Sequence, residues 1–438
     1  MRLLSITVGG YRNIAETTIE LSGITAFVSP NNYGKSNLLD AISYATEFVN
    51  ESPRSRTAMM GNAGDIPLVP GLADSEFIFR VEFEDPDLGE YRYVRYGFRF
   101  AWKKDDGTGQ TITDETIEIN SKRTGRWTNY LRRSKGQYKK GHSTRSFRSI
   151  QLDGNQLAID VLTAIENIEI NPAIKRIKQL GFSLCGSLDA SSRFWSTPLE
   201  MKTDDDGKTI LLDDRDLPRA IYRLRKERPE RYDDLLSALY TLFPEFESVS
   251  VDPYELKKEE HDRYEKAISA SSGDGAEVPF RIRDELYRMT VRSVYLNQPV
   301  NVSMMSAGTQ RIIWLIANVI IAAAYDNQCI GIEEVETSIH PKMLGTLLEL
   351  LDENIATTTS LLVTSHSPFL IQYLKPQQIY IGVPSEDGIA KFGRIRKSVV
   401  PQVMENAHDH GLGFGEYLFD LMSSDRDGAA VLTRMLGD

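Results

Sequence analysis

The sequence predicts an α/β fold: a mixed sheet with helices, an antiparallel β subdomain, and an insertion that is helical and partly basic. Ile24 to Val28 is an apolar run that precedes a Gly-Lys-Ser turn and then a helical pattern. Three segments between residues 76 and 120 alternate polar and apolar positions, which is typical of antiparallel strands with one face in water. Near the C-terminal end, one short apolar run is followed by two glutamates and another by a histidine. This pattern is typical of buried strands that present polar groups at the edge of a sheet.

The composition indicates a soluble globular protein. The 438 residues are 41% hydrophobic and 26% charged, enough for a large core and two or three structural units. The two cysteines, Cys185 and Cys329, predict neither a disulfide framework nor a zinc cluster, so the reducing cytoplasm is the expected location. The longest apolar run, Ile312 to Tyr325, is short and is interrupted by Asn318, and no leader segment is predicted. We therefore expect no membrane association.

The charge is unevenly distributed. The net charge is −11, but residues 121–152 contain ten basic residues and no acidic residue. The rest of the chain therefore has a net charge of −21, ten negative charges more than the whole chain. Cations for phosphates and rings for base stacking are what a nucleic-acid surface requires. Lys122 to Arg148 is therefore a possible nucleic-acid surface; a solvated β-hairpin and an anchor for an acidic protein are the alternatives. Its basic and aromatic residues are Lys122, Arg123, Arg126, Trp127, Tyr130, Arg132, Arg133, Lys135, Tyr138, Lys139, Lys140, Arg145, Phe147 and Arg148.

The stretch from Ser29 to Ile42, SPNNYGKSNLLDAI, is a candidate phosphate-binding loop. Strand, tight loop with Gly-Lys-Ser, and helix is the context that such a loop needs, because backbone N–H groups and the helix N-terminus then face the phosphates. Ser29 stands where the pattern has its first glycine, which leaves the loop shape open. Arg12, in the turn before this strand, either is a surface residue or reaches the nucleotide. The candidate nucleotide-binding residues here are Asn31, Asn32, Gly34, Lys35, Ser36 and Asn37.

Three more motifs follow in the C-terminal third. Ser306-Ala307-Gly308 opens a long apolar helix, either as a phosphate-binding end or as an ordinary N-cap. Glu333-Glu334 ends one short apolar strand. His366 ends the next, where it either senses a γ-phosphate or is an ordinary hydrogen-bonded histidine.

In chain order, Lys35/Ser36, Ser306-Ala307-Gly308, Glu333-Glu334 and His366 resemble the Walker A, signature, Walker B and His-switch motifs of ABC-type ATPases. The segments NYGKSNLLDAI, SAGTQR, EEVETSIHP and VTSHSPFLI resemble most closely the soluble branch that contains RecF, SMC-type heads and OLD-like AAA ATPases. The resemblance covers residues 1–50 and 300–375. It implies an ABC-type P-loop NTPase head with its N-terminal half at 1–120, an insertion at 121–295 and its C-terminal half at 296–438.

The resemblance also implies a mechanism with ATP and Mg²⁺. Two heads would sandwich two ATP molecules, so that Ser306 and Gly308 of one chain contact the γ-phosphate held by Lys35 of the other. Ser36 and Glu333 would hold the Mg²⁺, although the usual residue at the latter position is Asp. Glu334 would be the catalytic base for in-line attack of water, with His366 as the switch and Lys35 on the phosphates.

Two family readings remain. Prolines through the middle region exclude the long coiled coil of SMC proteins, and the 72 residues after His366 are too few for the TOPRIM nuclease domain of OLD proteins. The chain therefore resembles stand-alone ATPase subunits of anti-phage systems such as Septu and PARIS. That resemblance implies a slow ATPase without a nuclease of its own, at least dimeric, that controls a separate effector, expected to be a nuclease. The alternative is a RecF/SMC-like repair ATPase that binds DNA in an ATP-dependent manner; an ABC transporter subunit is disfavoured because such subunits lack the antiparallel insert.

Overall fold

The computed structural model describes the chain except residues 142–145, 166, 187–189, 197–198, 202–215, 272–279, 284, 326, 356, 384, 425 and 438. Side chains are also not described at 190, 191, 199–201, 268–271, 280, 281, 426 and 427. Arg145 of the basic segment therefore lies outside the described residues.

The regular elements are as follows. The strands are Arg2–Gly9 (β1), Thr17–Glu20 (β2), Ile24–Val28 (β3), Phe77–Glu84 (β4), Tyr93–Ala101 (β5), Thr111–Asn120 (β6), Thr128–Arg132 (β7), Gln137–Tyr138 (β8), Arg148–Ser149 (β9), Phe182–Cys185 (β10), Leu199–Met201 (β11), Phe246–Glu255 (β12), Phe280–Ile282 (β13), Glu285–Ser293 (β14), Val300–Asn301 (β15), Cys329–Ile332 (β16), Ser360–Ser365 (β17), Ile379–Gly382 (β18), Phe392–Ile395 (β19) and Leu436–Gly437 (β20). The α-helices are Lys35–Asn50 (α1), Pro53–Met59 (α2), Ala158–Leu162 (α3), Asn171–Lys178 (α4), Leu217–Glu227 (α5), Pro229–Leu242 (α6), Lys258–Ser271 (α7), Ala307–Ala324 (α8), Pro341–Asn354 (α9), Pro368–Ile371 (α10), Val400–Asp409 (α11), Phe414–Ser423 (α12) and Arg426–Met435 (α13).

The chain divides into two compact units. The first comprises Met1–Gly186, Asn327–Val335 and Thr357–Asp438, and the second comprises Ser187–Asp326 and Glu336–Ala356. The boundaries between these units fall after residues 186, 326, 335 and 356, whereas the predicted domain boundaries were after residues 120 and 295. The reason at residue 120 is strand pairing: β7 pairs with β6, and β8 and β9 follow, so the basic segment extends the N-terminal sheet.

The first unit contains two sheets. One is antiparallel in the order β2-β1-β4-β5-β6-β7-β8-β9, which confirms the predicted antiparallel subdomain. The other has the order β10-β16-β17-β3-β18-β19-β20 and is mixed as predicted: β10 to β18 run parallel, while β19 and β20 are antiparallel. Every residue of β3 is buried, as expected for a strand covered on both faces.

Helix α1 forms because its apolar residues recur at helical spacing and cover one face. Its buried aromatic residues pack on the antiparallel sheet: the Phe48 ring stacks on Phe98 and Phe100, with centroids 5.0 and 4.9 Å apart. The same helix contacts β10 and β17 of the mixed sheet. Burial of Phe48 and its aromatic neighbours therefore fixes the position of α1, the helix that begins within the Gly-Lys-Ser turn.

Residues 51–74 contain the short helix α2, whose N-cap Ser52 accepts a hydrogen bond from the Ser55 N–H. Residues 155–195 contain the short strand β10, which pairs in parallel with β16. A four-residue apolar run does not distinguish a strand from a helix by period, and only its pairing partner decides.

The second unit is built around α8, which packs against α5, α6 and α9. Within the described residues, α8 is the one helix long and apolar enough to cross a membrane by length and composition, contrary to the expectation that no run reaches that length. Its 18-residue window is 78% buried, as in the core helix of a globular unit. Beside these helices, β12, β14 and β15 form a three-stranded antiparallel sheet.

Candidate functional site

The order of the mixed sheet brings three of the predicted motifs to one edge. Strand β17 lies between β16 and β3, with Ile332 beside Val363 and Ser365 beside Val28. The three strands are parallel, so the residues that follow them emerge at the same carboxyl edge, where ligands of such sheets bind. Those residues are the glutamate pair, His366 and the Gly-Lys-Ser loop, all in the first unit.

The loop after β3 has the backbone that a tight turn into a helix requires. Gly34 has φ 114° and is the N-cap of α1. A Cβ atom at Gly34 would lie 2.9 Å from Asn13 Oδ1 and 3.0 Å from the Ala390 Cβ atom, so only glycine fits both the backbone and the space. Ser29 is not among the residues with a positive φ, so its side chain in place of the pattern's glycine causes no backbone strain at that position, whereas Asn32 in the same loop has a left-handed φ of 60°.

Lys35 is folded across the beginning of this loop. Its ammonium group donates hydrogen bonds to the Ser29 carbonyl at 2.8 Å and to the Pro30 carbonyl at 3.1 Å. The residue is only 8% exposed, whereas Ser36, next to it in the first turn of α1, is exposed. The lysine is therefore held between the end of β3 and the first turn of the helix.

Arg12, in the turn after β1, contacts the helix that follows this loop and is not an isolated surface residue. Its guanidinium donates to Asn37 Oδ1 at 2.9 Å and to Asp40 Oδ2 at 2.6 Å, both on the first turns of α1. A second nitrogen lies 3.5 Å from Asp65 Oδ1, and the side chain is 27% exposed. The structure thus places the arginine at the N-terminal end of the helix. A residue that reaches the nucleotide would have to lie there.

Asn13 holds the same turn together and was not identified from the sequence. Its amide donates to the Tyr33 carbonyl at 3.3 Å and to the Gly388 carbonyl at 3.2 Å, and its oxygen accepts from Asn37 at 2.8 Å. No spacing rule links these positions, because they come from three separate parts of the chain. Its place directly after Arg12, in the turn that precedes the loop strand, was the one available signal.

The glutamate pair is fixed through its backbone. The Glu333 N–H donates to the Cys185 carbonyl at 3.0 Å, and the Glu334 N–H donates to Thr364 Oγ1 at 3.0 Å. Glu334 has φ 45°, a left-handed conformation that a side chain adopts only when its surroundings impose it. Both residues are half-buried, and these hydrogen bonds fix the backbone that carries their carboxylates at the sheet edge.

His366 faces the beginning of the loop across a small cavity. This cavity has a volume of about 200 Å³ and is lined by Ser29, Pro30 and Asn31 on one side and by exposed His366 on another. Helix α12 closes it with Phe419, Met422 and Ser423. The sequence analysis did not connect α12 with the site, since nothing in its residue pattern differs from an ordinary amphipathic helix.

Ser306 and Gly308 belong to the second unit, whereas the motif residues described so far belong to the first. Ser306 is the exposed N-cap of α8, and its hydroxyl accepts from the Thr309 N–H at 3.2 Å. A Cβ atom at Gly308 would lie 2.6 Å from the Ser338 carbonyl oxygen, so the loop after the glutamates requires a glycine there. The helix end thus presents a hydroxyl and exposed backbone, which both an N-cap and a phosphate contact need.

The basic segment only partly forms the predicted surface. Tyr130 and Tyr138 are 0% and 6% exposed, so the expectation that these rings stack on bases is wrong: they fill the core of the antiparallel sheet. Arg123 is paired with Glu20 at 3.0 Å and Glu82 at 2.8 Å. Arg133 donates to backbone carbonyls of residues 112, 153 and 156. Among the other cations of the segment that the structure describes, Lys122, Arg126, Lys135 and Arg148 are exposed, and Arg132, Lys139 and Lys140 are half-buried.

Within the described residues, one group of three could hold a metal ion by distance: His261, Asp262 and Glu265, whose ligand atoms lie within 4.8 Å of one another. It is a solvent-facing part of α7, and clusters of this kind are common without an ion. The two predicted Mg²⁺ ligands carry the oxygen donors that this ion prefers: Ser36 lies in the first turn of α1, and Glu333 follows β16.

A family model described as an AAA ATPase domain matches residues 1–371. Among solved structures, the chain is similar to an SMC head bound to the C-winged helix domain of ScpA, with 13% identity, a TM-score of 0.49, and coverage of 92% of this chain and 100% of that one. An SMC head domain from Thermotoga maritima matches at 12% identity and TM-score 0.42, over 90% and 100% of the two chains. An Smc head domain with an extended coiled coil, bound to the C-terminal domain of ScpA derived from Pyrococcus furiosus, matches at 13% and 0.47, over 93% and 99%. No curated protein sequence matches the chain.

Proposed function

Because the chain belongs to the AAA ATPase domain family, we propose that it hydrolyses ATP as the regulatory subunit of an anti-phage complex and controls a separately encoded effector. One observation carries the enzymatic part of this proposal. The Gly-Lys-Ser loop, Glu334 and His366 follow neighbouring parallel strands and emerge at one edge of the sheet. That is the arrangement a triphosphate and an attacking water require.

The N-terminus of α1 is the phosphate site in this proposal. The first backbone N–H groups of the helix and its dipole favour a triphosphate there. Lys35 exchanges its hydrogen bonds to the Ser29 and Pro30 carbonyls for bonds to the β- and γ-phosphate oxygens. Ser36 and Glu333 would hold a Mg²⁺ ion, which would neutralise charge on the phosphates. Arg12, anchored to α1, adds a second cation near the same end.

Glu334 is the proposed catalytic base. Its carboxylate orients the water and takes its proton as the water oxygen attacks the γ-phosphorus and the bond to the β,γ-bridging oxygen breaks. The strained backbone supports this role, because a left-handed glutamate pinned by Thr364 is held in one place before substrate arrives. His366 donates to the γ-phosphate from the next strand and so distinguishes ATP from ADP.

Ser306 and Gly308 complete the site of a second copy in this proposal. The exposed end of α8 provides a hydroxyl and backbone N–H groups that fit a γ-phosphate. A homo-oligomer of at least two chains follows, with hydrolysis tied to assembly. A cytoplasmic location and a separate nuclease as effector complete the defence reading.

The enzymatic proposal is tested with Lys35→Ala and Glu334→Gln, using ATP binding, phosphate release and mass photometry. Lys35→Ala is expected to abolish ATP binding, whereas Glu334→Gln is expected to bind ATP and remain in the assembled state. Turnover at the wild-type rate by Glu334→Gln would contradict the assignment of the base.

The defence role is tested by phage challenge of cells carrying the gene with its genomic neighbour. Protection that requires both genes and is lost with Lys35→Ala supports control of an effector. The repair alternative is favoured by the exposed cations Lys122, Arg126, Lys135 and Arg148. A monomer that dimerises only when both ATP and duplex DNA are present would support it instead.

A further inference from the structure

Most of the large hydrophobic side chains that are exposed in the described part of the chain fall into two groups. One group, here called the loop surface, belongs to the second unit and consists of Trp195, Val294, Tyr295, Leu296 and Met304. The other, here called the helix surface, belongs to the first unit and consists of Phe369, Tyr373, Met404 and Phe419. Exposed apolar residues that are grouped in this way mark surfaces that bind other proteins.

The loop surface is built on the hairpin between β14 and β15. These two strands pair in antiparallel fashion, so residues 294–299 form the loop that joins them. The Val294 N–H donates to the Glu245 carbonyl at 3.0 Å and thereby holds the start of the loop. Tyr295 follows directly and is 83% exposed. The backbone of the loop is therefore anchored, while its tyrosine ring has little cover.

The loop surface also includes the residues that lead to the signature motif. The single turn Val302–Met304 follows β15, contacts β14 and ends two residues before Ser306. Met304 is 76% exposed at the end of this turn. Trp195 follows a second turn, Ala190–Phe194, that contacts the first one. The loop surface therefore borders the end of α8 that we propose to contact a γ-phosphate.

The helix surface lies on α10, α11 and α12. A Cβ atom at Gly415 would lie 2.5 Å from the Pro368 carbonyl oxygen, so α12 packs closely on α10. Phe419 lies one turn after Gly415, lines the cavity of His366 and is still 36% exposed. Phe369, on α10, is 45% exposed. The helix surface therefore borders the proposed γ-phosphate sensor.

The helix surface is acidic. Residues 398–424, which contain α11 and α12, include no lysine or arginine. The acidic residues of this range are all exposed: Glu405, Asp409, Glu416 and Asp420. Asp420 lies directly beside Phe419 in the sequence. A partner of this surface therefore needs an apolar group and a positive charge.

The loop surface has the complementary chemistry. Residues 286–325 include no aspartate or glutamate, and exposed Arg292 on β14 lies two residues before Val294. Glu247, in the bulge of β12 opposite, is the nearest acid in register, and these two described side chains form no ion pair with each other. Arg292 and Tyr295 therefore supply the charge and the ring that the helix surface requires.

We propose that the loop surface of one copy of this chain docks on the helix surface of a second copy, and that this contact joins the two copies before ATP binds. The inference rests on the proposed function, because the composite site brings the end of α8 of one chain to His366 of the other. Tyr295 then packs on Phe369 and Phe419, and Arg292 faces the carboxylates of α11 and α12. Since Phe419 also lines the cavity of His366, docking and γ-phosphate binding act on the same helix.

The first test removes the most exposed ring. Sedimentation equilibrium of the full chain without nucleotide, over a range of concentrations, gives the Kd of the dimer. Tyr295→Ser is expected to raise this Kd by about tenfold or more, as the loss of an aromatic anchor does. Tyr254→Ser is the control and is expected to leave it unchanged, because Tyr254 is an exposed tyrosine of the second unit outside both surfaces. An equal Kd for Tyr295→Ser and the wild type would overturn the inference.

The second test exchanges charges between the surfaces. Arg292→Glu and Asp420→Arg each place like charges on both contacts of a dimer, so each variant alone is expected to be monomeric at concentrations where the wild type is dimeric. In an equimolar mixture the mixed dimer is expected to form, because one contact combines the two substituted residues and the other the two original ones. A misfolded variant cannot produce this recovery. A mixture that stays monomeric would overturn the inference.

The Glu334→Gln variant separates this contact from the composite site. If the wild type is monomeric without nucleotide while Glu334→Gln dimerises with ATP, only the docking contact fails. If ATP does not stabilise the Glu334→Gln dimer while the nucleotide-free dimer still depends on Tyr295, the composite site of the proposed function fails and the docking contact stands.

Discussion

Glu115 makes the stability of the first unit depend on pH. Its carboxylate, at 0% exposure, accepts hydrogen bonds from the Ala158 and Ile159 N–H groups at the start of α3 and from the Tyr96 hydroxyl. Arg133 lies 3.8 Å away. Burial raises the pKa of Glu115 from the ordinary 4.5 to about 7, although the backbone donors and Arg133 oppose that shift.

The sign and size of the effect follow from these values. Between pH 4.5 and 7 the folded protein retains a proton on Glu115 that the unfolded chain has released. The free energy of unfolding therefore falls as pH rises through this window and levels off above it. A shift of two to three units corresponds to about 3 kcal/mol, at 1.36 kcal/mol per unit.

Glu115→Gln is the perturbation that isolates this contribution. Glutamine retains an acceptor for α3 and does not ionise, so the variant is expected to lose the part of the pH dependence that Glu115 supplies. Urea unfolding at several pH values between 4.5 and 8 gives the difference in free energy between wild type and variant. That difference is expected to change by about 3 kcal/mol across the window, in favour of the variant at higher pH. A difference that stays constant with pH would refute the reasoning.

The remaining predictions concern the site. Glu334→Gln is expected to lower the ATP turnover number by about 10²- to 10⁴-fold with ATP binding retained; Glu353→Gln, exposed on α9, is the control and should turn over normally. Gly34→Ala is expected to cost about 2–5 kcal/mol in unfolding free energy, from left-handed strain plus steric contact. Gly411→Ala, with φ 68° and no atom within 4 Å, should cost only the strain, about 1–2 kcal/mol; equal losses would show that the contacts at Gly34 are not felt. If the basic segment binds DNA, Arg126→Glu should weaken binding and reduce its dependence on salt, and an unchanged affinity would speak against a DNA contact at this residue.

The sequence predicted those parts of the site that are contiguous in the chain. A strand, a Gly-Lys-Ser turn and a helix follow each other directly, so their geometry is local and can be inferred from spacing. The edge strand β10 was missed because its partner β16 begins at Cys329, far along the chain, and its four residues have no decisive period. Tyr130 and Tyr138 were misread for a related reason: alternation shows that one strand face is buried, but the surrounding cations suggested that the rings lie on the other.

Asn13 and Thr364 show what spacing cannot reveal. Each makes a hydrogen bond to a motif residue from a distant strand or turn, and each is an ordinary polar residue in its own segment. Their positions become informative only once the sheet order is known. Contacts of this kind decide whether motif residues are held in place, whereas the motifs alone decide which groups are present.

Thr364 also links two proposed catalytic groups mechanically. Its hydroxyl accepts a hydrogen bond from the Glu334 N–H and its carbonyl accepts one from the Val335 N–H, while His366 lies two residues further along, directly after β17. Strand β17 therefore precedes the histidine directly and also holds the backbone of the glutamate. A contact between His366 and a γ-phosphate would act on the strand that holds Glu334 in its strained conformation. The sensor thus follows the strand to which the backbone of the base is hydrogen-bonded, and this gives the state of the nucleotide a direct route to the position of the base.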